Sequence, residues 1–82
     1  LDISKLKPRE IVSVTWSDSS YKKGWHYPPY EFGDPITHVK TIGFVVQADA
    51  KMLVVAAAIE SGGGVLCPLF IPAHAVEKLE VL

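Results

Sequence analysis

Trp25, Tyr27 and Tyr30 fall close together in the chain, with Lys22, Lys23 and His26 beside them. Planar rings offer faces on which a base stacks, and neighbouring lysines attract a phosphate, so this combination suits a nucleotide-like anion. The rings belong to a long connection, Ser17 to Pro35, that also holds Tyr21, Phe32 and the stiff pair Pro28-Pro29. Connections beyond about a dozen residues in a compact domain are usually functional or disordered, and one so rich in aromatics is not of disordered composition. The same rings could instead form a private miniature core for the loop, or anchor a subunit interface. Both alternatives stand beside the ligand reading at the level of sequence.

Other chemistries find little support. His26, His38 and His74 have no close-spaced pairing and make no zinc pattern with Cys67, so no metal is expected. Ser17, Asp18, Ser19 and Ser20 could meet His26 as nucleophile and base, but their spacing reads as turn chemistry, in which short polar side chains bond nearby backbone. Gly62-Gly63-Gly64 lacks the Lys-Ser or Lys-Thr of a phosphate loop and reads as a hairpin turn. Cys67, in an apolar stretch, reads as a small buried hydrophobe. No catalytic constellation is present, so the chain is read as a non-enzyme that implies no cofactor.

The elements that must position the aromatic stretch come from a chain of 82 residues, 49% hydrophobic and 21% charged. That composition specifies one small globular domain over residues 1–82, opened by a polar lead over residues 1–9. A net charge of −1 lacks the basic excess of a duplex-DNA binder. The single cysteine points to a reducing cytoplasm. The apolar run Met52 to Ile59 is too short to cross a membrane and the N-terminus lacks signal-peptide order, so a soluble cytoplasmic protein is expected.

Alternation with a period of two predicts a strand from Glu10 to Trp16, with Val12, Val14 and Trp16 on one face. A second strand runs from His38 to Gln47, where Gly43 marks a bend or bulge. The four-residue break Ala48-Asp49-Ala50-Lys51 then connects to a strand over Met52 to Ile59. A helix from Ala50 to Glu60 is the rival, favoured by three alanines but opposed by Val54-Val55 and the missing polar stripe. Val65 to Ile71 forms the fourth strand, with Pro68 at an edge or bulge. A helical turn over Pro72 to Ala75 precedes a last strand, Val76 to Val81, with Leu79 and Val81 inward. A full helix from Pro72 to Leu82 is the alternative there. Together these describe an all-β, five-stranded small barrel with a long first loop.

The order strand, long loop, hairpin, glycine-rich turn and then Ile71-Pro72-Ala73-His74-Ala75-Val76-Glu77-Lys78-Leu79 resembles the SH3-like small barrels and, within them, the Sm-like proteins. Ile71, Val76 and Leu79 fall at apolar positions of the second Sm motif, and His74-Ala75-Val76 is similar to the His-Ala-Ile run of bacterial Sm-like RNA chaperones. The layout of Trp16, Trp25, Gly43 and the Ile-Pro segment also resembles uncharacterised small barrels encoded by phages and prophages. The Sm-like resemblance implies a homo-oligomeric ring built through edge strands, with His74 facing its pore, although a dimer would also bury apolar surface. Where Sm-like proteins carry Arg-Gly or Tyr-Lys this chain has Pro72-Ala73, which places RNA oligonucleotides second. The leading expectation is a small anionic, nucleotide-like ligand held between subunits at Lys22, Lys23, Trp25, His26, Tyr27, Tyr30 and His74. A phage-encoded chain would use such a site in the host cytoplasm to sequester a host signalling nucleotide, as an anti-defence protein. A third reading is an SH3-like module receiving a peptide.

The strand assignment predicts a far-ultraviolet circular dichroism spectrum of β type. A spectrum dominated by helix would restore the helical readings of Ala50 to Glu60 and Pro72 to Leu82.

Overall fold

A computed structural model describes residues 2–19, 24–33 and 36–82. Among the described residues seven strands form: β1 (Ile11–Ser19), β2 (Ile36–Ala48), β3 (Met52–Ala56), β4 (Ala58–Ile59), β5 (Val65–Leu66), β6 (Leu69–Pro72) and β7 (Val76–Val81). Five make one antiparallel sheet in the order β6-β3-β2-β1-β7, and β4 pairs with β5 as a separate two-stranded ribbon. Both helical alternatives give way to strands, because the branched residues Val54 and Val55 pack on both faces of β3, and Leu79 alternates with exposed neighbours along β7.

Register explains the core. Val12 lies opposite Gly43 and Val81, and Val14 opposite Thr41 and Leu79, so the apolar face of β1 meets its neighbours side by side. Leu53 faces Ile71 and Val55 faces Leu69 across β3 and β6. Val12, Val14, Val45, Leu53, Val55 and Ile71 form the buried centre, with Trp16, Leu69, Val76 and Leu79 packed around it. The Trp16 indole donates to Thr41 Oγ1 at 3.0 Å, a diagonal same-face contact that satisfies the ring's polar end.

β6 and β7 sit at opposite edges of this sheet, yet only the 3₁₀ turn Ala73–Ala75 separates them. Four interstrand steps span about 19 Å in a flat sheet. Four residue steps reach at most about 14 Å. The sheet must therefore curl, and two bulges assist: Val46 is the extra residue between the Val45–Val55 and Gln47–Val54 pairs, and Glu77 is extra between Lys78–Thr15 and Val76–Trp16. Ala73 N–H also donates to the Lys51 carbonyl at 2.8 Å, tying the turn to the β2–β3 connection. That connection is an Asx turn, in which the Asp49 carboxylate accepts from the N–H groups of Lys51 (2.7 Å) and Met52 (2.8 Å).

Several sequence expectations change. The single strand expected over Met52 to Ile59 is broken at exposed Ala57, and that over Val65 to Ile71 at Cys67-Pro68, where Pro68 removes a ladder donor and Cys67 takes φ 51°. Cys67 is exposed and not a buried hydrophobe. The bulge falls at Val46 and not at Gly43. Val81 shares the face of Val12 but, at the end of its strand, remains 54% exposed. The N-terminal stretch is more than a polar lead, because a 3₁₀ turn capped by Asp2 places Ile3 in the core at 3% exposure.

Gly43 serves close backbone approach: a Cβ there would stand 2.8 Å from the Ala56 carbonyl oxygen of β3. Gly43→Ala is expected to destabilise the protein by about 1–3 kcal/mol, the cost of forcing atoms into a packed site. Urea unfolding measures this, and an unchanged midpoint would contradict the close approach.

Candidate functional site

The β1–β2 hairpin leads into the aromatic stretch, whose described part is bracketed by Gly24 (φ 90°) and Gly33 (φ 70°), both in the left-handed region that glycine adopts without strain. Within it the rings face water. Trp25 is 89% exposed, Tyr27 76% and Tyr30 60%, so none of them belongs to the core of its own chain. Tyr30 stacks on Phe32 with centroids 5.5 Å apart and planes at 15°, and His26 meets Phe32 edge-on at 5.2 Å. A cis peptide joins Pro28 to Pro29. His26, Tyr27, Pro29, Tyr30, Glu31 and Phe32 line a shallow recess of about 250 Å³. Its chemistry is a planar aromatic ledge with an imidazole at one side and a carboxylate at another. Lys22 and Lys23, expected to supply its positive charge, lie outside the described residues, as do Ser20 and Tyr21.

His74 is elsewhere. It lines a wider groove of about 540 Å³ with Trp16, Ser17, Asp18, Ile36, Leu69, Phe70, Pro72 and Ala75. This groove forms where the turn between β6 and β7 passes the ends of β1 and β2, and its walls are mostly apolar. The candidate residues thus divide: Trp25, His26, Tyr27 and Tyr30 share the aromatic stretch, and His74 sits in the 3₁₀ turn between β6 and β7.

A third cluster escaped the sequence. Ser17 Oγ donates to Glu77 Oε1 at 2.6 Å, and His38 Nδ1 lies 2.7 Å from the same oxygen. Ser17 and His38 are direct partners across β1 and β2, whereas Glu77 reaches them because the bulge in β7 re-aims its side chain. Separations of 60 and 39 residues left no local signal. Ser17 spends its proton on the carboxylate and not on the imidazole, so the serine-to-histidine bond that activates a nucleophile is not made. The cluster instead fastens β7, β1 and β2 together at the root of the hairpin. Among the described residues no group of three or more His, Cys, Asp or Glu side chains is arranged to hold a metal ion. Among them, too, no helix is long and apolar enough to cross a membrane.

Comparison with models of known families, with curated proteins and with solved structures finds no match to this chain.

Hydrogen bonds from Ser17, then from His38, hold the Glu77 carboxyl below the usual carboxylate range, and backbone N–H bonds from Lys51 and Met52 do the same for Asp49. Groups whose folded pKa is lowered contribute stability above their unfolded pKa and lose it as pH falls through the folded value. Stability should therefore decline as pH drops below about 4.5, the ordinary glutamate range. Glu77→Gln should flatten that decline without removing the Asp49 contribution. Urea midpoints across the acid limb test this, and profiles parallel to wild type would show that the cluster contributes nothing.

Proposed function

We propose that this chain is a non-catalytic binding protein, a small SH3-like or Sm-like barrel that works as a homo-oligomer and holds a small anionic, nucleotide-like ligand between subunits. The observation that carries the reading is the exposed aromatic ledge of His26, Tyr30 and Phe32, whose rings are ordered against one another and turned to solvent while the core is complete without them. A flat π-surface of this kind receives a base by stacking, a contact indifferent to sequence and suited to a small planar ligand. The strand order, with the last strand returning beside the first and the penultimate one on the far edge, supports the barrel. Lys22 and Lys23 are the sequence's nearest source of positive charge for a phosphate. Marginal size supports assembly, since a single small core gains from burying further apolar surface. Sequestering a host signalling nucleotide is the use that the resemblance to phage barrels suggests.

Calorimetric titration of the full chain with a panel of mono-, di- and cyclic nucleotides tests the site. One class of nucleotide should bind, and Tyr30→Ala should weaken it by about 1–3 kcal/mol, the range for loss of base stacking, with the dichroism spectrum unchanged. Absence of binding across the panel, or equal affinity in Tyr30→Ala, would reject the ledge as the site.

A further inference from the structure

The chain enters β1 along a strap that carries three cations. Ile3, at 3% exposure, and Leu6 pack against the core, while Lys5, Lys7 and Arg9 are exposed along the same short stretch. The far end of the strap is pinned as well, because Arg9 N–H donates to the Val45 carbonyl and Val45 N–H to the Glu10 carbonyl, each at 2.7 Å. Its carboxylates are occupied by its own backbone: Asp2 accepts from Ser4 N–H at 3.0 Å, and Glu10 from Lys7 N–H at 2.6 Å. Among the described residues the side chains of Lys5, Lys7 and Arg9 enter no ion pair and no hydrogen bond. We infer that this strap binds a chain of phosphate groups, held in two-point contact by the Arg9 guanidinium and neutralised by Lys7 and Lys5.

The backbone at Arg9 singles out its side chain. Glu10 N–H donates to the Lys7 carbonyl at 3.2 Å, which closes a four-residue turn with Pro8 second and Arg9 third, and Arg9 takes φ 74°. Proline cannot take a positive φ, so the turn is of type II, whose third position calls for glycine or asparagine. Arginine there costs backbone energy that glycine would avoid, and such strain gathers where a side chain has work to do. The fold does not use this side chain. It is exposed and unpaired, and the bonds that hold the turn come from backbone groups that glycine also has. What arginine adds is a planar fork of donors that matches the oxygens of a phosphate. Lys7 opens the same turn and Lys5 lies two residues before it, so the three cations fall on a stretch that reaches at most about 14 Å. One phosphate engages Arg9 and one lysine, whereas two or three linked phosphates engage all three. A backbone fixed in advance also lowers the ordering cost that a flexible basic tail meets on binding. The site goes beyond the proposed function and depends neither on the aromatic ledge nor on assembly.

Calorimetric titration of the full chain with inorganic tripolyphosphate, at low and at physiological salt, tests it. The probe carries no base, so its binding at the strap and nucleotide binding at the ledge can fail separately. Wild type should bind tripolyphosphate, more weakly as salt rises. Arg9→Gly should weaken binding at least about tenfold, the loss of a charge-assisted two-point contact, while its urea midpoint stays at or above that of wild type because the turn is relieved. Arg9→Lys keeps the charge without the fork and should fall between the two. The pair Lys5→Gln and Lys7→Gln should weaken binding and flatten its salt dependence. An oligothymidylate bound with the same sensitivity to Arg9→Gly assigns a nucleic-acid backbone as the source of the phosphates, and tripolyphosphate bound alone assigns a free phosphate chain. A wild type that does not bind tripolyphosphate, or equal affinity in Arg9→Gly, overturns the inference. A lowered urea midpoint in Arg9→Gly overturns it too, since Arg9 would then be serving the fold.

Discussion

The three residues Ala73–Ala75 join strands that the pairing order places at opposite edges of one sheet. A link that short forces the sheet to curl, and most of the architecture follows. Curling turns one face of β1, β2, β3, β6 and β7 inward and lets six aliphatic side chains meet in a centre that water does not reach. It requires bulges, and the chain places them at Val46 and Glu77. It requires one close backbone contact, and Gly43 supplies it against Ala56. The groove at Trp16, Phe70 and His74 is what remains where the link passes the root of the first hairpin.

The core and the described aromatic stretch thereby occupy different parts of the molecule. The core uses aliphatic residues of the sheet, with Ile3 and Leu6 closing it from the N-terminal side. Among the described residues, the rings of the aromatic stretch lie outside that core and face solvent. Its root is held by the Ser17–Glu77–His38 cluster, which spans three strands just below the point where the stretch departs. An exposed stretch mounted in this way can change its residues without cost to the fold, as surface loops on a rigid scaffold do.

Much of this was legible in the sequence. Val12, Val14 and Trp16 announced β1 through strict alternation, Val76 to Val81 came out with its observed bounds, and the Ser61-Gly62-Gly63-Gly64 turn joins β4 to β5 as a hairpin. What stayed hidden depends on contacts distant in sequence. The bulge at Glu77 arises from the mismatch of β7 against β1, which no window along the chain reveals. Ile3 looked like part of a polar lead because its neighbours are polar, and only the Asp2-capped turn shows it pointing inward. Cys67 looked buried in an apolar run, but Pro68 ends the strand there and turns the residue out. For the site, the aromatic cluster was plain from composition, whereas the separation of His74 from it required the topology.

We propose that an assembled, non-catalytic barrel retains a small ligand on its exposed aromatic stretch. Native mass spectrometry of the full chain taken directly from a gently prepared lysate reads assembly and retained ligand at once. The expected spectrum shows a multiple of 9.0 kDa carrying an additional small mass that collisional activation releases as an anion. A bare 9.0 kDa species, alone and without adduct, would contradict it.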